Sequence, residues 1–355
     1  MLSLVAVNAV GFPGSESSDA GSAAEASETS FVPMRPTLDP VPTTTATIDS
    51  TSTTDATVTT DATAGTGDVV LDAYQVFAAT SPFNAPISGD PILDPGSERI
   101  AAALSEKVVA NLYEFGIAIY EVDESTDPVT VNCTKPWGTC LLEGSRHRVP
   151  DGAQPAPGDD GTLVVIDWSE RRTVEMWQAV QRSSETWSTS WGTTTPIDGT
   201  GIPTLFGNGA GVSHLAGVVR VEEIANGRID HALVFSTDNA CRDVFRYPAT
   251  KTDGDSTRVD CIPEGTRIQL DPEIDLDAVR LTPAERAIGR ALQTYGAYAI
   301  DGGGTPMAFY FEVAFDATPG NPGFGYSSAG LDRDFFPLQA IPWDHLRILK
   351  SWDGS

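Results

Sequence analysis

The sequence predicts a mainly β protein: an antiparallel β-sandwich or jelly-roll-like domain with two or three peripheral helices, over residues 69–355. Short apolar runs recur between Gly, Pro, Asn and Asp clusters, many with period-2 alternation. Only two segments keep convincing helical spacing. The alternative is an α+β fold in which both helices pack on one sheet face.

Residues 1–13 open with LSLVAVNAV, apolar with small residues, and Val7-Asn8-Ala9 suits a signal-peptidase site. No basic residue precedes it, so the expectation is a truncated signal segment. Residues 14–68 are Ser, Thr, Ala, Asp and Pro, too poor in apolar side chains to offset ordering entropy. They read as a disordered, mucin-like linker or stalk.

The folded part opens with YQVFAA as a first strand and SPFNAPI as a turn. Asp94-Pro95 suits the start of a helix, with Ile100, Ala103, Leu104, Val108 and Leu112 at helical spacing. FGIAIYEV and PVTVNC follow as strands. TLVVIDW (162–168) is apolar on both parities apart from Asp167, the pattern of a strand covered on both faces. A turn at 169–172 makes VEMWQAV (174–180) its hairpin partner, with Glu175 and Trp177 sharing a face. In ETWSTSWGTTT, alternation puts Trp187, Thr189 and Trp191 together on one face.

The stretch 215–235, LAGVVRVEEIANGRIDHALVF, holds the densest mixture of core-like and chemically capable residues. Its helical stub, Glu222 to Asn226, ends at Gly227, which tolerates the positive φ of a helix stop. Alternation from Ile229 places His231 with Leu233 and Phe235 on one strand face. TRIQLDP adds another strand. Thr282-Pro283-Ala284-Glu285 is a capping box with Pro at the first helical position, and Ala284, Ala287, Ile288, Ala291, Leu292 and Tyr295 form the apolar stripe up to Gly296. MAFYFEVAFD (307–316) is a strand with Phe309, Phe311, Val313 and Phe315 inward.

The 355 residues include 22 basic and 49 acidic ones, a net charge of −27, which argues against nucleic-acid or anionic-membrane partners. No run reaches the roughly 20 apolar residues of a membrane span. The four cysteines allow three pairings, of which the simplest is Cys133–Cys140 with Cys241–Cys261. C-x-x-C spacing for zinc is missing, so disulfides and an oxidising, extracellular setting are expected. The oligomeric state is open.

There is no GxSxG elbow, P-loop or HExxH, and Asp301-Gly302-Gly303-Gly304 reads as a turn. Carboxylates near aromatic rings remain. Sugars stack on Trp and Tyr, and glycoside hydrolysis needs two carboxyl groups across a cleft. The candidates for acid/base work are Glu175, Glu222, Glu223, His231 and Glu312. Those for substrate contact are Trp177, Trp187, Trp191, Tyr310 and Arg220. Burial of the aromatics in the core, and of His231 against Glu222, Glu223 or Asp230, is the competing structural reading. No cofactor is called for, with calcium at Asp253-Gly254-Asp255 or Asp159-Asp160 a minor option.

The segments Asp160-Gly161-Thr162-Leu163, Glu175-Met176-Trp177, Gly217 to Glu223, Gly227 to Leu233 and Tyr247-Pro248-Ala249, with Asp253-Gly254, Tyr295-Gly296 and Asp301, resemble a family of secreted actinobacterial proteins. The likeness covers residues 80–350. It implies one domain, carries no established activity, and has His where this chain has Thr162, which weakens a two-histidine site. The reading is a secreted or surface-attached protein that acts on polysaccharide as a hydrolase or lyase. The alternative is a non-catalytic glycan-binding, adhesion or structural module.

Overall fold

The computed structural model describes residues 76–205 and 207–351. The expected signal segment and linker lie outside the described residues. The strands, in chain order, are β1 (Val108–Asn111), β2 (Ala118–Val122), β3 (Pro128–Cys133), β4 (Ser145–Arg148), β5 (Leu163–Asp167) and β6 (Arg172–Trp177). Then come β7 (Val180–Ser183), β8 (Thr186–Thr189), β9 (Trp191–Pro196), β10 (Leu233–Thr237), β11 (Ala240–Phe245) and β12 (Ile262–Glu264). The last are β13 (Arg267–Leu270), β14 (Ala297–Gly302), β15 (Met307–Tyr310), β16 (Phe336–Pro337) and β17 (Leu346–Ile348). The helices are α1 (Ser97–Leu104), α2 (Val221–Asn226), α3 (Pro283–Thr294) and α4 (Phe324–Ser328).

The protein is mainly β, with open sheets stacked as in a sandwich. One sheet has seven strands in the order β16-β1-β15-β10-β14-β13-β17, and two have four, β2-β5-β6-β9 and β4-β3-β8-β7. Pairing is mixed: β1–β15, β10–β14, β2–β5 and β3–β8 run parallel, while β5–β6 and β6–β9 are antiparallel.

The side chains of β5 show the layering. Val164 and Ile166 join Val234, Tyr298 and Ile300 in the core between the seven-stranded sheet and the β2-β5-β6-β9 sheet. Leu163 and Val165 face the other way, into a core with Val131, Met176 and Trp187. A strand covered on both faces has to be apolar on both parities, as 162–168 is. The far face of the seven-stranded sheet packs Leu233, Phe235, Ala297 and Phe309 against α1 and α3. α3 carries the expected cap, with Thr282 Oγ1 accepting from the Glu285 N–H at 3.2 Å.

Four local expectations change. The described part of YQVFAA, 76–79, is not a strand. α1 ends at Leu104, so Val108 begins β1 and Leu112 follows it; the β-branched pair Val108-Val109 pairs with Met307 and Ala308 instead of extending the helix. β10 starts only at Leu233, so His231 precedes the strand. Phe315 is 71% exposed, because the strand ends at Tyr310. Both expected disulfides are formed, Cys133–Cys140 and Cys241–Cys261. Among the described residues no helix is long and apolar enough to cross a membrane.

Candidate functional site

Glu175 is fully buried on β6 and is the centre of a hydrogen-bond knot. The hydroxyls of Thr173, Thr195 and Ser213 donate to its Oε1, the latter two at 2.7 and 2.6 Å. The His214 backbone N–H donates to Oε2 at 2.7 Å, and His214 Nδ1 lies 3.3 Å from the same oxygen. Burial pushes the carboxyl up, but His214 and the hydroxyls outweigh it, so the net shift is downward and Glu175 is held ionised. The knot ties β6 and β9 to the 213–214 turn, and it leaves no face of Glu175 open to a substrate.

His231 makes a separate set of bonds. Its Nδ1 lies 3.0 Å from the Ala232 carbonyl and its Nε2 3.1 Å from the Glu223 carboxylate. Both contacts are acceptors, so both ring nitrogens carry protons. Burial pulls the imidazole pKa down, but Glu223 and the Ala232 carbonyl outweigh this and the net shift is upward. The adjoining cavity, about 30 Å³ and lined by Phe77, Phe83, Leu215 and Val218, has room for about one water and none for a sugar. Glu223 also accepts the Arg220 backbone N–H at 2.8 Å, closing the first turn of α2. Arg220 in turn pairs with Glu312 at 3.0 Å, and both are buried. Glu222, half-buried in the same turn, adds its charge to this group. These five residues and Glu175 therefore hold segments together, and the small cavity that Arg220 and His231 help to line is too small for a sugar.

The aromatic expectations divide. Trp187 is 1% exposed and fills the core, so it is not a stacking surface. The cause is a break at Ser190: β8 pairs with β3, whereas β9 pairs with β6 in another sheet, and the expected face shared by Trp187 and Trp191 does not exist. Trp177 and Trp191 are direct cross-strand partners and both are partly exposed. Trp137, which alternation did not single out, lies over them, 5.8 Å from the Trp177 ring and 6.5 Å from Trp191, and is 58% exposed. It sits in the loop closed by the Cys133–Cys140 bridge. Three tryptophans thus form an exposed strip.

Next to the strip is a group of carboxylates. The Trp177 indole N–H donates to Asp160 at 3.1 Å. The charge of Asp160 reaches Asp301 and Tyr310, where it opposes ionisation of both. Asp301 is the penultimate residue of β14, and the Tyr310 hydroxyl donates to its Oδ2 at 3.2 Å, reaching across β10. One oxygen each from Asp253, Glu264 and Asp301 lie within 4.8 Å of one another. Burial, then the charge of Asp253, pushes Asp301 well up. Burial chiefly pushes Glu264 up to about 7. Close, poorly hydrated carboxylates cannot all stay charged without a proton or a cation between them.

Tyr310 and Asp253 were site candidates from the sequence, Asp301 was read there as part of a turn, and Glu264, Trp137 and His214 were not singled out. Asp255 and Asp159 do not join the cluster. Asp301 sits near the carboxyl end of a strand that pairs in parallel, where ligand sites concentrate in open sheets, but that pairing is visible only in the fold. A concavity of about 850 Å³ lies elsewhere, between α1 and the 339–347 segment, and none of the expected site residues lines it. No protein-family model, curated protein or solved structure matches this chain.

Proposed function

We propose that the chain is a secreted, carbohydrate-active protein that lays a glycan along Trp137, Trp177 and Trp191 and acts on it at Asp301 and Tyr310. The observation that carries this is the hydrogen bond from Trp177 to Asp160, which joins the exposed strip to the carboxylate group. Indole faces match the apolar C–H faces of sugars. A carboxyl bonded to a phenol offers a route for a proton to or from a glycosidic oxygen, the need shared by hydrolysis and elimination. The net charge of −27 favours neutral glycans over polyanionic ones. Two disulfides support an oxidising compartment.

A second reading, a glycan-binding module without turnover, is favoured by the strip alone, which needs no acid.

The test is a screen of the full chain against soluble polysaccharides, reading bound glycan, new reducing ends and unsaturated uronate absorbance. Trp137→Ala is expected to weaken binding at least tenfold with the fold intact. Asp301→Asn is expected to remove turnover and keep binding. Binding that survives both changes, with no product in the parent protein, leaves only the module. Absence of any glycan binding overturns both readings.

A further inference from the structure

We propose that Asp253, Glu264 and Asp301 form a binding site for a single divalent metal ion, with calcium the best match. The inference rests on the same cluster as the glycan reading, but its test reads no sugar, so the two fail separately.

Each carboxylate has one oxygen engaged and one turned inward. Asp301 Oδ2 accepts from the Tyr310 hydroxyl, Asp253 Oδ1 from the Gly302 backbone N–H at 3.0 Å, and Glu264 Oε2 from the Asp253 backbone N–H at 3.2 Å. The remaining Glu264 oxygen, Oε1, belongs to a residue with no exposed surface and has no hydrogen-bond partner. A buried carboxylate oxygen left bare is costly, and its commonest remedies are a proton or a cation.

Asp301 Oδ1 and Asp253 Oδ2 approach one point of backbone. A Cβ placed on Gly209 would lie 2.3 Å from the first and 2.7 Å from the second. Glycine at 209 therefore lets the chain close over the inward oxygens. The nearby Lys251 ammonium is bonded to the Gly209 carbonyl at 2.6 Å, and Asp160 adds negative charge.

The three ligands come from separate segments held in place independently. Asp301 lies one residue before the end of β14, Glu264 ends β12, and Asp253 lies in the loop closed by Cys241–Cys261. Such a site exists before the ion arrives.

The donors are all oxygen, the set hard cations select over zinc or copper. Two Ca–O bonds of about 2.4 Å span about 4.8 Å, against about 4.2 Å for two Mg–O bonds. The three oxygens lie within 4.8 Å of one another, inside the reach of two Ca–O bonds, and calcium accepts an irregular oxygen set where magnesium demands a near-ideal octahedron. The open side, at exposed Asp253, leaves room for waters to complete the coordination. With the ion in place Asp301 is a ligand, and proton movement in the proposed reaction falls to Tyr310.

The test uses the full chain, stripped with EDTA and dialysed, and titrated calorimetrically with calcium chloride and separately with magnesium chloride. One calcium per chain is expected, bound at least tenfold more tightly than magnesium, together with a rise in melting temperature. Glu264→Gln and Asp301→Asn, both close in shape to the parent, are expected to lose that heat. Asp255→Asn is expected to keep it. Terbium emission sensitised by the neighbouring aromatics reports the same site without relying on stability, and Glu264→Gln should abolish it. No heat and no thermal shift at 10 mM calcium overturns the site. Equal binding by the parent and Glu264→Gln also overturns it, since the ion is then held elsewhere on the acidic surface. Magnesium binding as tight as calcium overturns the calcium assignment.

Discussion

Replacing Glu175 separates a structural knot from a catalytic carboxylate. In Glu175→Ala the His214 N–H, the His214 ring and the hydroxyls of Thr173, Thr195 and Ser213 lose their shared acceptor in a site with no solvent. The hydroxyls can rotate to other acceptors, but the His214 backbone N–H has no such freedom. One stranded buried donor costs about 1–3 kcal/mol. The ring nitrogen and the crowded hydroxyls add to this, so about 4 kcal/mol is expected in all. Glu175→Gln keeps the volume. Its carbonyl can face the His214 backbone N–H and ring, and its amide can donate to two of the three rotatable hydroxyls, so the loss is the charge assistance and one hydroxyl contact, about 1–2 kcal/mol.

Urea denaturation at pH 7 measures both. At about 2 °C per kcal/mol for a domain of this size, thermal melts should fall by about 8 °C for Ala and 2–4 °C for Gln. The shift also fixes a pH signature. Glu175 titrates lower folded than unfolded, so its stabilisation is present above the ordinary carboxylate pKa and is lost as pH falls through the folded value. Both variants should therefore differ less from the parent in acid. Loss of under 1 kcal/mol in Glu175→Ala, or equal losses in Ala and Gln, would refute the argument.

Two further outcomes follow from the α2 region. Arg220→Ala should cost about 3–5 kcal/mol by stranding buried Glu312, while the double change Arg220→Met with Glu312→Gln should recover most of that in the same urea assay. His231 titrates higher folded than unfolded, so its contribution is complete below its ordinary pKa near 6.5 and is lost as pH rises through the folded value. His231→Gln should flatten melting temperature against pH between 6 and 9, and a parent-like slope in that variant would contradict the Glu223 contact.

What was legible in the sequence is what local interactions decide. The α3 cap, the Gly227 stop at φ 69°, the doubly covered β5 and both disulfide pairs follow from residues a few positions apart, or from one loop closing. The sites that depend on register were not legible. Glu175 and His231 look like partners in a list of ionisable residues, yet each already has a nearer one: His214, brought in by a turn, and Glu223, brought back by α2. The Ser190 break sends Trp187 inward and Trp191 outward, which no alternation of polar and apolar residues across 186–191 encodes. Asp253, Glu264 and Asp301 meet only because β12 and β14 end at the same edge of the fold, and the glycines after Asp301 hide it as an ordinary turn.

The bridge between Cys133 and Cys140 also bears on how fast the proposed glycan would leave. It closes the ring of residues that presents Trp137, so the most exposed indole among the described residues is confined before anything is bound. A free loop would have to surrender about 0.5–1.5 kcal/mol for each flexible side chain it orders on contact, and would regain that freedom on every escape. Here the confinement is built in during folding, and the gain appears mainly as residence time, since closely related complexes differ mostly in their off-rates. A thiol reductant that opened this ring would leave the cross-strand pair Trp177 and Trp191 in register and set only Trp137 loose. The strip would go from three fixed rings to two, and its grip would become a matter of the redox state of the surrounding medium.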